Sequence, residues 1–536
     1  MMEKVTTAGQ TASGAQPDRY LSGVAFVIAV VIAAWLRFEQ LGEKLLHHDE
    51  SVNGWFLLRL IGEGEYRYNP DNYHGPSLYY LAILPLRLLG ESEVALRFVP
   101  ASFGVLAVGL IWLLRRRLGP IGTPGAALLM ALSAGLVYYS RDFIHEMIFG
   151  CLTLGLVTGA VRYGDERRRR WLILSATSLG LLFATKETAI IALPILILSI
   201  AMAILFDLVR RGERLEWSVV RVTWPAADHL MAGAVIFLVL NLALYSSFLT
   251  HPEGIIDALR SPWRWTMRSG SEHVKGFWYY GAILVKLELP LLLGAITGGA
   301  FILWRGTRFW LFVGAWTCGN FLAYSLIGYK TPWLVVNTLV PMTLLAGHAI
   351  QRIFDLIAPS LLRLSFAIIL LGGLAFSAQL TREISLANYD DNQNRTGFLA
   401  GYGRRLGLHL YQDELVGYVY AQTDRDLRNL LNLIESQSRV DDKETGIYIA
   451  SPDYWPLPWY LRNQPGVNYG GNLPPFDPSG NPEIGHRLII ARTDQLSAFS
   501  NATGLSVSPT SYNLRPGVAL ILLLRGDLKH ESELPQ

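Results

Sequence analysis

Long apolar runs alternate with short polar segments along the first 380 residues. Many of the runs approach the ~20 residues that an α-helix needs to cross a hydrocarbon core. This pattern predicts roughly eleven membrane-spanning helices. They lie near residues 21–37, 94–113, 121–140, 146–163, 171–185, 188–207, 230–249, 280–303, 308–327, 333–350 and 361–380. The segment 77–90 is shorter and contains Pro85 and Arg87, so we expect it to lie along the membrane surface.

Composition supports a membrane protein and argues against a soluble enzyme. Apolar residues make up 51% of the 536-residue chain and charged residues 17%, whereas ordinary soluble domains contain about 25% charged residues. The two cysteines, Cys151 and Cys318, both fall inside predicted spans. No disulfide framework is therefore expected.

The distribution of arginine predicts the orientation of the chain. With a cytoplasmic N-terminus, the arginine-rich loops all fall on the inner side, as the positive-inside rule requires. These loops hold Arg115–Arg117, Arg167–Arg170, Arg210, Arg211, Arg214, Arg305 and Arg308. Residues 1–20 are polar without an apolar core, which predicts a flexible cytoplasmic tail and no cleaved signal. We expect a multi-pass protein of the plasma (inner) membrane, and the net charge of +3 indicates membrane topology, not nucleic-acid binding.

After residue 380 the pattern changes from long apolar runs to short ones. The segments "GIYIAS", "HRLIIAR" and "VALILLLRG" predict buried strands, and "DRDLRNLLNLIES" has helical apolar spacing. An α/β domain over 385–536 follows, and the topology places it outside the cytoplasm. Its segment "YWPLPWYL" fits either a packed helix start or an aromatic platform for sugars.

Unusual polar clusters collect in the loops predicted to lie outside. The first is "LLHHDESVNGW" at 45–55, followed by His74, and further loops carry charged side chains where a charge near lipid is costly unless it is paired or used. These are Arg141, Asp142, His145, Glu146, Lys186, Glu187, Arg264, Arg268 and Lys330. Glu288 lies inside an apolar run and is interpreted as an acid that faces a cavity.

Purely structural roles are open for the same residues. Asp49 or Ser51 fits the N-cap of a short interfacial helix. The segment "SRDFIHE" fits a solvated helix start, and Lys330 with Trp333 fits a lysine and a tryptophan at the membrane interface.

The order of these motifs resembles the membrane glycosyltransferases of the GT-C type. The matching segments are "HDE" after the first span, then "HGPSLYYL", "SRDFIHE" and "GYKTPWLVVN". The resemblance is to prokaryotic relatives of dolichyl-phosphate-mannose–protein mannosyltransferases, including a set named for association with flippase activity, in which "DYWPLPWYLR" is typical. One departure is His74-Gly75-Pro76, where related enzymes often have His-Pro-Pro.

The resemblance implies a polytopic helical membrane module over 21–380 with an outer-loop active site, and an inverting hexosyl transfer. A polyprenyl-phosphate sugar, such as a mannosyl donor, would pass its sugar to a hydroxyl of a glycan, lipid or protein. Asp49 would accept the hydroxyl proton, and Glu50 would orient Asp49 or the sugar. Residues expected to bind the donor or its phosphate are His74, Arg141, Glu146, Lys186, Arg268, Lys330 and Trp333.

Two further questions stay open at this point. No metal or other cofactor is expected, because adjacent side chains such as His47, His48, Asp49 and Glu50 rarely converge on one ion. A divalent ion is nevertheless an alternative, since oligosaccharyltransferases of the same broad fold use one. The alternative functions are a lipid-linked sugar flippase or its accessory protein, and a non-catalytic scaffold; neither requires Asp49.

Overall fold

The structure is a computed structural model that describes residues 15–70, 72, 74–212, 224–268, 273–387, 417–440, 446–475, 488–503 and 509–524. Most of the predicted tail, residues 1–20, lies outside these ranges. The described part consists of a helical module up to residue 387 and an α/β region from residue 417 onward.

The helical module is built from sixteen α-helices in the described ranges. They are α1 (Ala15–Phe38), α2 (His48–Glu63), α3 (Ser77–Leu89), α4 (Glu93–Leu110), α5 (Arg115–Leu132), α6 (Ala134–Tyr138), α7 (Glu146–Glu166), α8 (Arg169–Phe183), α9 (Ala189–Arg211), α10 (Ala227–Tyr245), α11 (Glu253–Arg268), α12 (Tyr279–Leu287), α13 (Leu289–Arg305), α14 (Arg308–Leu326), α15 (Val336–Leu356) and α16 (Ser360–Arg382). Short 3₁₀ turns join several of them, including Tyr139–Arg141 and Pro332–Val335.

The module is that of a polytopic membrane protein. Among the described residues, seven helical stretches are long and apolar enough to cross a membrane, or up to eight if one bent pair is counted as a single span. The bent pair is α12 and α13, whose axes differ by 109°. The predicted spans 94–113 and 121–140 correspond largely to one stretch, Glu93–Leu132, in which Gly119 adopts φ 81° and interrupts the helix. The larger number of spans expected from the sequence stays a prediction.

Small residues allow the central helices to approach closely. Gly122 of α5 faces Gly347 of α15, and a Cβ added to Gly122 would lie 2.6 Å from the Gly347 carbonyl oxygen. Side chains larger than hydrogen would therefore separate the two helices. Close approach through small residues is a common way in which membrane helices pack.

The C-terminal region confirms the predicted α/β architecture. Its helices are α17 (Leu427–Val440), α18 (Leu457–Tyr460) and α19 (Leu496–Thr503), and its strands are β1 (Ile447–Ile449), β2 (Val467–Tyr469), β3 (Leu488–Arg492), β4 (Ser511–Arg515) and β5 (Val518–Leu524). The three apolar segments predicted as strands form β1, β3 and β5, and the predicted helix is α17. The short strands β2 and β4 were not expected, because their sequences lack a strong apolar run.

The five strands form one sheet in the order β2-β1-β3-β5-β4. Strand β1 is parallel to β2 and β3, while β5 is antiparallel to both β3 and β4. Four strands therefore run in one direction and only β5 runs in the other. The carboxyl ends of those four strands consequently lie along the same edge of the sheet.

The C-terminal domain holds the loop that precedes α2. Leu46 N donates a hydrogen bond to the Tyr460 hydroxyl at 2.9 Å, and the side chains of Gln422 and Thr423 donate to Leu45 O and Leu46 O. Trp459 is buried against Gly54 of α2. The two parts of the described chain thus meet at the loop that leads into α2, the helix that carries Asp49.

Candidate active site

The helix that carries Asp49 begins with a histidine cap. His47 Nδ1 accepts a hydrogen bond from Asp49 N at 3.1 Å, and Glu50 Oε2 accepts one from His47 N at 2.9 Å. This reciprocal pair is a capping box in which histidine takes the place of serine or threonine. The prediction that Asp49 or Ser51 is the cap was wrong: the cap lies further upstream, since Glu50 lies at the third helical position, from which its side chain reaches back to His47 N.

Glu50 is the centre of a buried network beneath this loop. Its carboxylate receives Arg97 Nε at 2.7 Å, Arg97 Nη2 at 2.9 Å and Phe143 N at 2.8 Å, and both charged side chains are fully buried. Arg97 also donates to the carbonyl oxygens of Leu41, Lys44 and Leu45. Burial alone would raise the pKa of Glu50, but the charge and hydrogen bonds of Arg97, together with the Lys44 charge, outweigh burial and lower the pKa to about 2. Glu50 is therefore ionised and fixes the loop that presents Asp49.

A cavity of about 440 Å³ opens directly beside Asp49. Five of the predicted site residues line it together: Asp49, His74, Glu146, Lys186 and Trp333. They come from α2, the 74–76 loop, the start of α7, the 184–188 loop and the turn before α15. Residues distant in sequence thus converge on one site.

The 184–188 loop places Lys186 and Glu187 in the cavity wall. It interrupts the nearly continuous apolar stretch 171–207 between α8 and α9. Lys186 Nζ forms a buried ion pair with the Glu146 carboxylate. Burial lowers the pKa of Lys186, but the charges of Glu146 and Glu187 and the hydrogen bond to Glu146 together raise it above its usual value, so the lysine keeps its charge.

The His74-Gly75-Pro76 turn lies against this loop. Gly75 N donates to Thr185 O at 3.0 Å, and Ser77 N donates to Ala184 O at 2.9 Å. A Cβ at position 75 would overlap the Ala184 carbonyl group. Glycine is therefore required by this close backbone approach, which gives the departure from His-Pro-Pro a physical reason.

His74 and Glu187 form a second polar pair in the wall. His74 Nδ1 donates to Glu187 Oε2 at 2.9 Å, and the carboxylate is only 2% exposed. Burial raises the pKa of Glu187, yet the His74 and Lys186 charges lower it below its usual range. The His145 ring lies 4.8 Å from the His74 ring, and burial, with the charges of His74 and Lys186, holds its pKa well below the usual value. His145 is therefore neutral when Lys186 is charged.

Other predicted site residues take different places. The Arg141 guanidinium donates to carbonyl oxygens at the end of α1, including Leu36 O at 3.0 Å and Glu39 O at 2.6 Å. Lys330 is 1% exposed and donates to Ile327 O. The side chain of Arg268 lies outside the described residues. The phosphate-binding roles of these three stay predictions, and neither Arg141 nor Lys330 lines the cavity.

Glu288 does not line this cavity either. It lies at the break between α12 and α13, where it accepts hydrogen bonds from Ser133 Oγ at 2.9 Å, Gly135 N at 2.8 Å and the Tyr418 hydroxyl at 3.0 Å. All three donors meet the same oxygen, Oε1, of the buried carboxyl group. Glu288 thus connects the bent helix pair to the start of α6.

Comparison with known proteins gives this arrangement a family context. A protein family described as dolichyl-phosphate-mannose-protein mannosyltransferase matches residues 73–245. An undecaprenyl phosphate-alpha-4-amino-4-deoxy-L-arabinose arabinosyl transferase 2 of Pseudomonas fluorescens (strain Pf0-1) is 24% identical over 336 residues, which are 59% of this chain and 54% of that protein. The match therefore spans about half the length of this curated relative.

Solved structures resemble nearly the whole chain. ArnT from Cupriavidus metallidurans bound to undecaprenyl phosphate is 16% identical with a TM-score of 0.62, and the match covers 95% of this chain and 99% of that one. The chain has the fold of the GT-C type membrane glycosyltransferases. A second similar structure is the archaeal oligosaccharyltransferase AglB from Archaeoglobus fulgidus, in complex with an inhibitory peptide and a dolichol-phosphate. It is 13% identical with a TM-score of 0.55, and the match covers 96% of this chain and 75% of that one. The resemblance inferred from the motifs is confirmed.

The fold also contains an apolar groove of about 730 Å³. It is formed by α9 and α12–α15, and its lining includes Phe206, Leu284, Leu303 and Phe321. Trp278, which lines the groove, lies four residues after Val274, which pairs with Tyr329 in the cavity wall. A short stretch of chain therefore connects the lining of the groove to the wall of the polar cavity.

The cavity beside Asp49 also contains residues that were not predicted from the sequence to lie there. Histidines are the most frequent residue type in the cavity wall, since His47, His48, His145 and His273 join the predicted His74 there, five of the eleven histidines in the chain. Asn53, Asn72, Glu187, Tyr329, Tyr420 and Arg515 complete its polar lining with Thr188. Glu187 had a signal, as an acid within an apolar stretch. Tyr420 and Arg515 had none, because no local pattern indicates which distant segments meet.

A divalent ion in the cavity is the alternative that the sequence analysis left open. In the parts of the chain that the structure describes, no three His, Cys, Asp or Glu side chains are grouped to hold an ion. His47 is already engaged through both ring nitrogens, with Asp49 N and with Tyr420 O at 3.1 Å. The cavity is therefore interpreted through its charged and hydrogen-bonding side chains.

Proposed function

We propose that this protein is an inverting glycosyltransferase that moves a sugar from a polyprenyl-phosphate donor to an acceptor hydroxyl. The observation that carries the proposal is the convergence of Asp49 and Lys186 on one cavity, in a helical module that also contains an apolar groove between α9 and α12–α15. The groove suits a prenyl chain, and the cavity suits the phosphate and sugar. The undecaprenyl phosphate and dolichol-phosphate bound by the two structural relatives support this class of donor.

Each cavity residue has a defined part in the proposed reaction. Asp49 accepts the proton of the acceptor hydroxyl as the oxygen attacks the anomeric carbon from the side opposite the phosphate. The sugar–phosphate bond breaks with its electron pair on the phosphate oxygen. Lys186 stabilises the charge of the departing phosphate, and the imidazolium form of His74, whose Nδ1–H is held by Glu187, donates a hydrogen bond to it from Nε2. Arg268 is the additional cation expected for the phosphate.

The reaction is proposed to take place on the extracytoplasmic face. Arginine-rich segments contact one another near the C-terminal ends of α7 and α9. Arg117 pairs with Asp165, Arg308 pairs with Asp207, and Arg210 donates to Trp304 O. The positive-inside rule assigns these segments to the cytoplasm. The cavity lies at the opposite ends of helices α7 and α9, at Glu146 and just before Ala189.

Asp49→Asn tests the assignment of the base. Asparagine keeps the size of the side chain but is not a proton acceptor, so transfer should fall by on the order of a hundredfold or more while the donor still binds. Purified full-length protein is assayed with radiolabelled polyprenyl-phosphate sugars and membrane fractions as acceptors. Asp228→Asn, a change at an exposed aspartate away from the cavity, is the control. Wild-type transfer by Asp49→Asn would refute the assignment.

A lipid-linked sugar flippase, or a protein that assists one, is the alternative. The groove and the cavity would serve lipid reorientation equally well, which is the observation in its favour. Moving a lipid-linked sugar across the membrane transfers no proton, so such a protein would not need a proton acceptor at Asp49. Sugar lipid translocation that persists in Asp49→Asn vesicles, without transfer by the wild type, would establish this alternative.

A further inference from the structure

A row of aromatic rings leads from the cavity across the C-terminal domain. His48 in the cavity wall lies 6.0 Å from Trp455, Trp455 lies 5.6 Å from Tyr454, and Tyr454 lies 5.1 Å from Tyr469, measured between ring centroids. Tyr469 is 40% exposed, and the other three are partly exposed. The row is therefore accessible along its length.

The same segment contains aromatic residues that are purely structural. Trp459 is 2% exposed and packs on α2, and Leu457 and Leu461 are buried in the domain core. The interpretation of "YWPLPWYL" as a packed helix start thus applies to its second half. Tyr454 packs against the same core but stays partly exposed, and Trp455 beside it is partly exposed as well.

Charged side chains accompany the row at the carboxyl edge of the sheet. Asp453 follows β1, Arg492 ends β3 and Arg515 ends β4, while Tyr469 ends β2. Asp453 pairs with both arginines, and Arg492 also pairs with Asp494. In open α/β sheets, ligands bind outside the carboxyl ends of the strands. This edge faces the cavity, because Arg515 lines it.

The balance of charges indicates the chemistry of the ligand. Two carboxylates and two guanidinium groups give no net charge, so the edge does not favour an anion or a cation. Carboxylates accept hydrogen bonds and guanidinium groups donate them, and a hydroxyl group does both. Aromatic faces next to such groups fit the apolar faces of sugar rings.

We propose that the acceptor is a neutral saccharide chain, which stacks on Trp455, Tyr454 and Tyr469 and hydrogen-bonds to Asp453 and Arg515. The chain would extend from the cavity, where its terminal hydroxyl meets Asp49. This proposal rests on the proposed function and names its acceptor class. Peptide acceptors would have no need of the aromatic row.

The test measures saccharide binding without donor, using the full chain in detergent micelles. Fluorescently labelled mannohexaose and maltohexaose are the probes, with a labelled peptide rich in serine and threonine for comparison, and binding is followed by fluorescence anisotropy. At least one oligosaccharide should bind. Trp455→Ala and Tyr469→Ala should each weaken that binding about tenfold, because each removes one stacking face.

Matched variants separate loss of stacking from loss of fold. Trp455→Phe keeps an aromatic face and should bind nearly as well as the wild type. Trp224→Ala, at an exposed tryptophan beside Arg167, should leave binding unchanged. Melting temperatures of all variants are compared.

Three results would overturn the proposal: neither oligosaccharide binds at millimolar concentration, both alanine variants bind as the wild type does, or only the peptide binds. Asp49→Asn should retain saccharide binding. Saccharide binding that depends on Trp455, together with wild-type transfer by Asp49→Asn, would contradict the base assignment alone. Transfer that depends on Asp49 without saccharide binding would contradict the acceptor assignment alone.

Discussion

Replacing Glu50 by glutamine removes the negative partner of a fully buried ion pair. Arg97 then keeps a buried charge. Among the described residues, no other acid forms an ion pair with it. Breaking one side of a buried pair typically costs about 3–5 kcal/mol, since the remaining charge is uncompensated. We therefore expect Glu50→Gln to be among the most destabilising changes near the cavity.

The pKa of Glu50 gives the net effect of the surrounding network on the charge of this carboxylate. The fall from the usual 4.5 to about 2 corresponds to about 3 kcal/mol at 1.36 kcal/mol for each pKa unit. Because the pKa is lower in the folded state, this stabilisation is fully present above pH 4.5 and is lost as the pH falls toward 2. The wild type should thus lose stability more steeply than Glu50→Gln over that range.

The assay compares apparent melting temperatures in detergent micelles, at neutral pH and between pH 5 and pH 3. Glu63→Gln is the matched control on the same helix, because the Arg59–Glu63 pair is solvent-exposed on both sides. Such surface pairs contribute about 0–1 kcal/mol. Adding Arg97→Met to Glu50→Gln should recover part of the lost stability, because the double change removes the unpaired charge.

Equal melting temperatures for Glu50→Gln and Glu63→Gln would refute this reasoning. A Glu50→Gln protein that is as stable as the wild type but does not transfer sugar would assign Glu50 a direct part in the chemistry. Loss of both properties, with recovery in the double variant, would identify it as a positioning residue.

Three further predictions follow from the site. Gly75→Ala should displace the turn from the 184–188 loop and abolish most transfer, whereas Gly62→Ala, with no atom within 4 Å of the added Cβ, should have wild-type activity. Lys186→Met should raise the apparent KM for the donor at least tenfold, because it removes a charged hydrogen bond that contributes on the order of 1.5–3 kcal/mol to binding. Arg59→Met is the surface control, and equal KM values for the two variants would exclude Lys186 from the phosphate site. A cysteine at Asp494, which is 58% exposed, should react with an impermeant thiol reagent from outside intact cells in a variant without Cys151 and Cys318; labelling confined to inverted vesicles would reverse the proposed orientation.

The sequence alone was sufficient for the class of fold and for part of the cavity. The motifs around Asp49, His74, Glu146, Lys186 and Trp333 carry unusual polarity within apolar surroundings, and the structure places these five together. Such residues stand out because charge beside lipid must have a function or a partner. The three strongest apolar runs of the C-terminal domain were recognised as strands for an equally local reason.

The sequence did not indicate which groups each polar side chain contacts in the folded protein. Arg141 resembles a phosphate-binding cation in sequence, but its guanidinium is held by the carbonyl groups at the end of α1. Glu50 stands next to Asp49 in the chain, yet the helix turns it toward Arg97 and away from the cavity. Tyr420 and Arg515 reach the site from the C-terminal domain. Periodicity indicates which side of an element is apolar, but it does not indicate which distant backbone groups a side chain will meet.

The hydrogen bond between Leu46 and Tyr460 has a consequence for the synthesis of the protein. These residues are 414 positions apart, so the ribosome needs roughly 20–80 s after making the first to reach the second, at about 5–20 residues per second. On the proposed topology, the loop before α2 would already have crossed the membrane during that interval, while the groups that hold it do not yet exist. We therefore expect a nascent chain to acquire the proposed activity only after its C-terminal domain has folded against this loop.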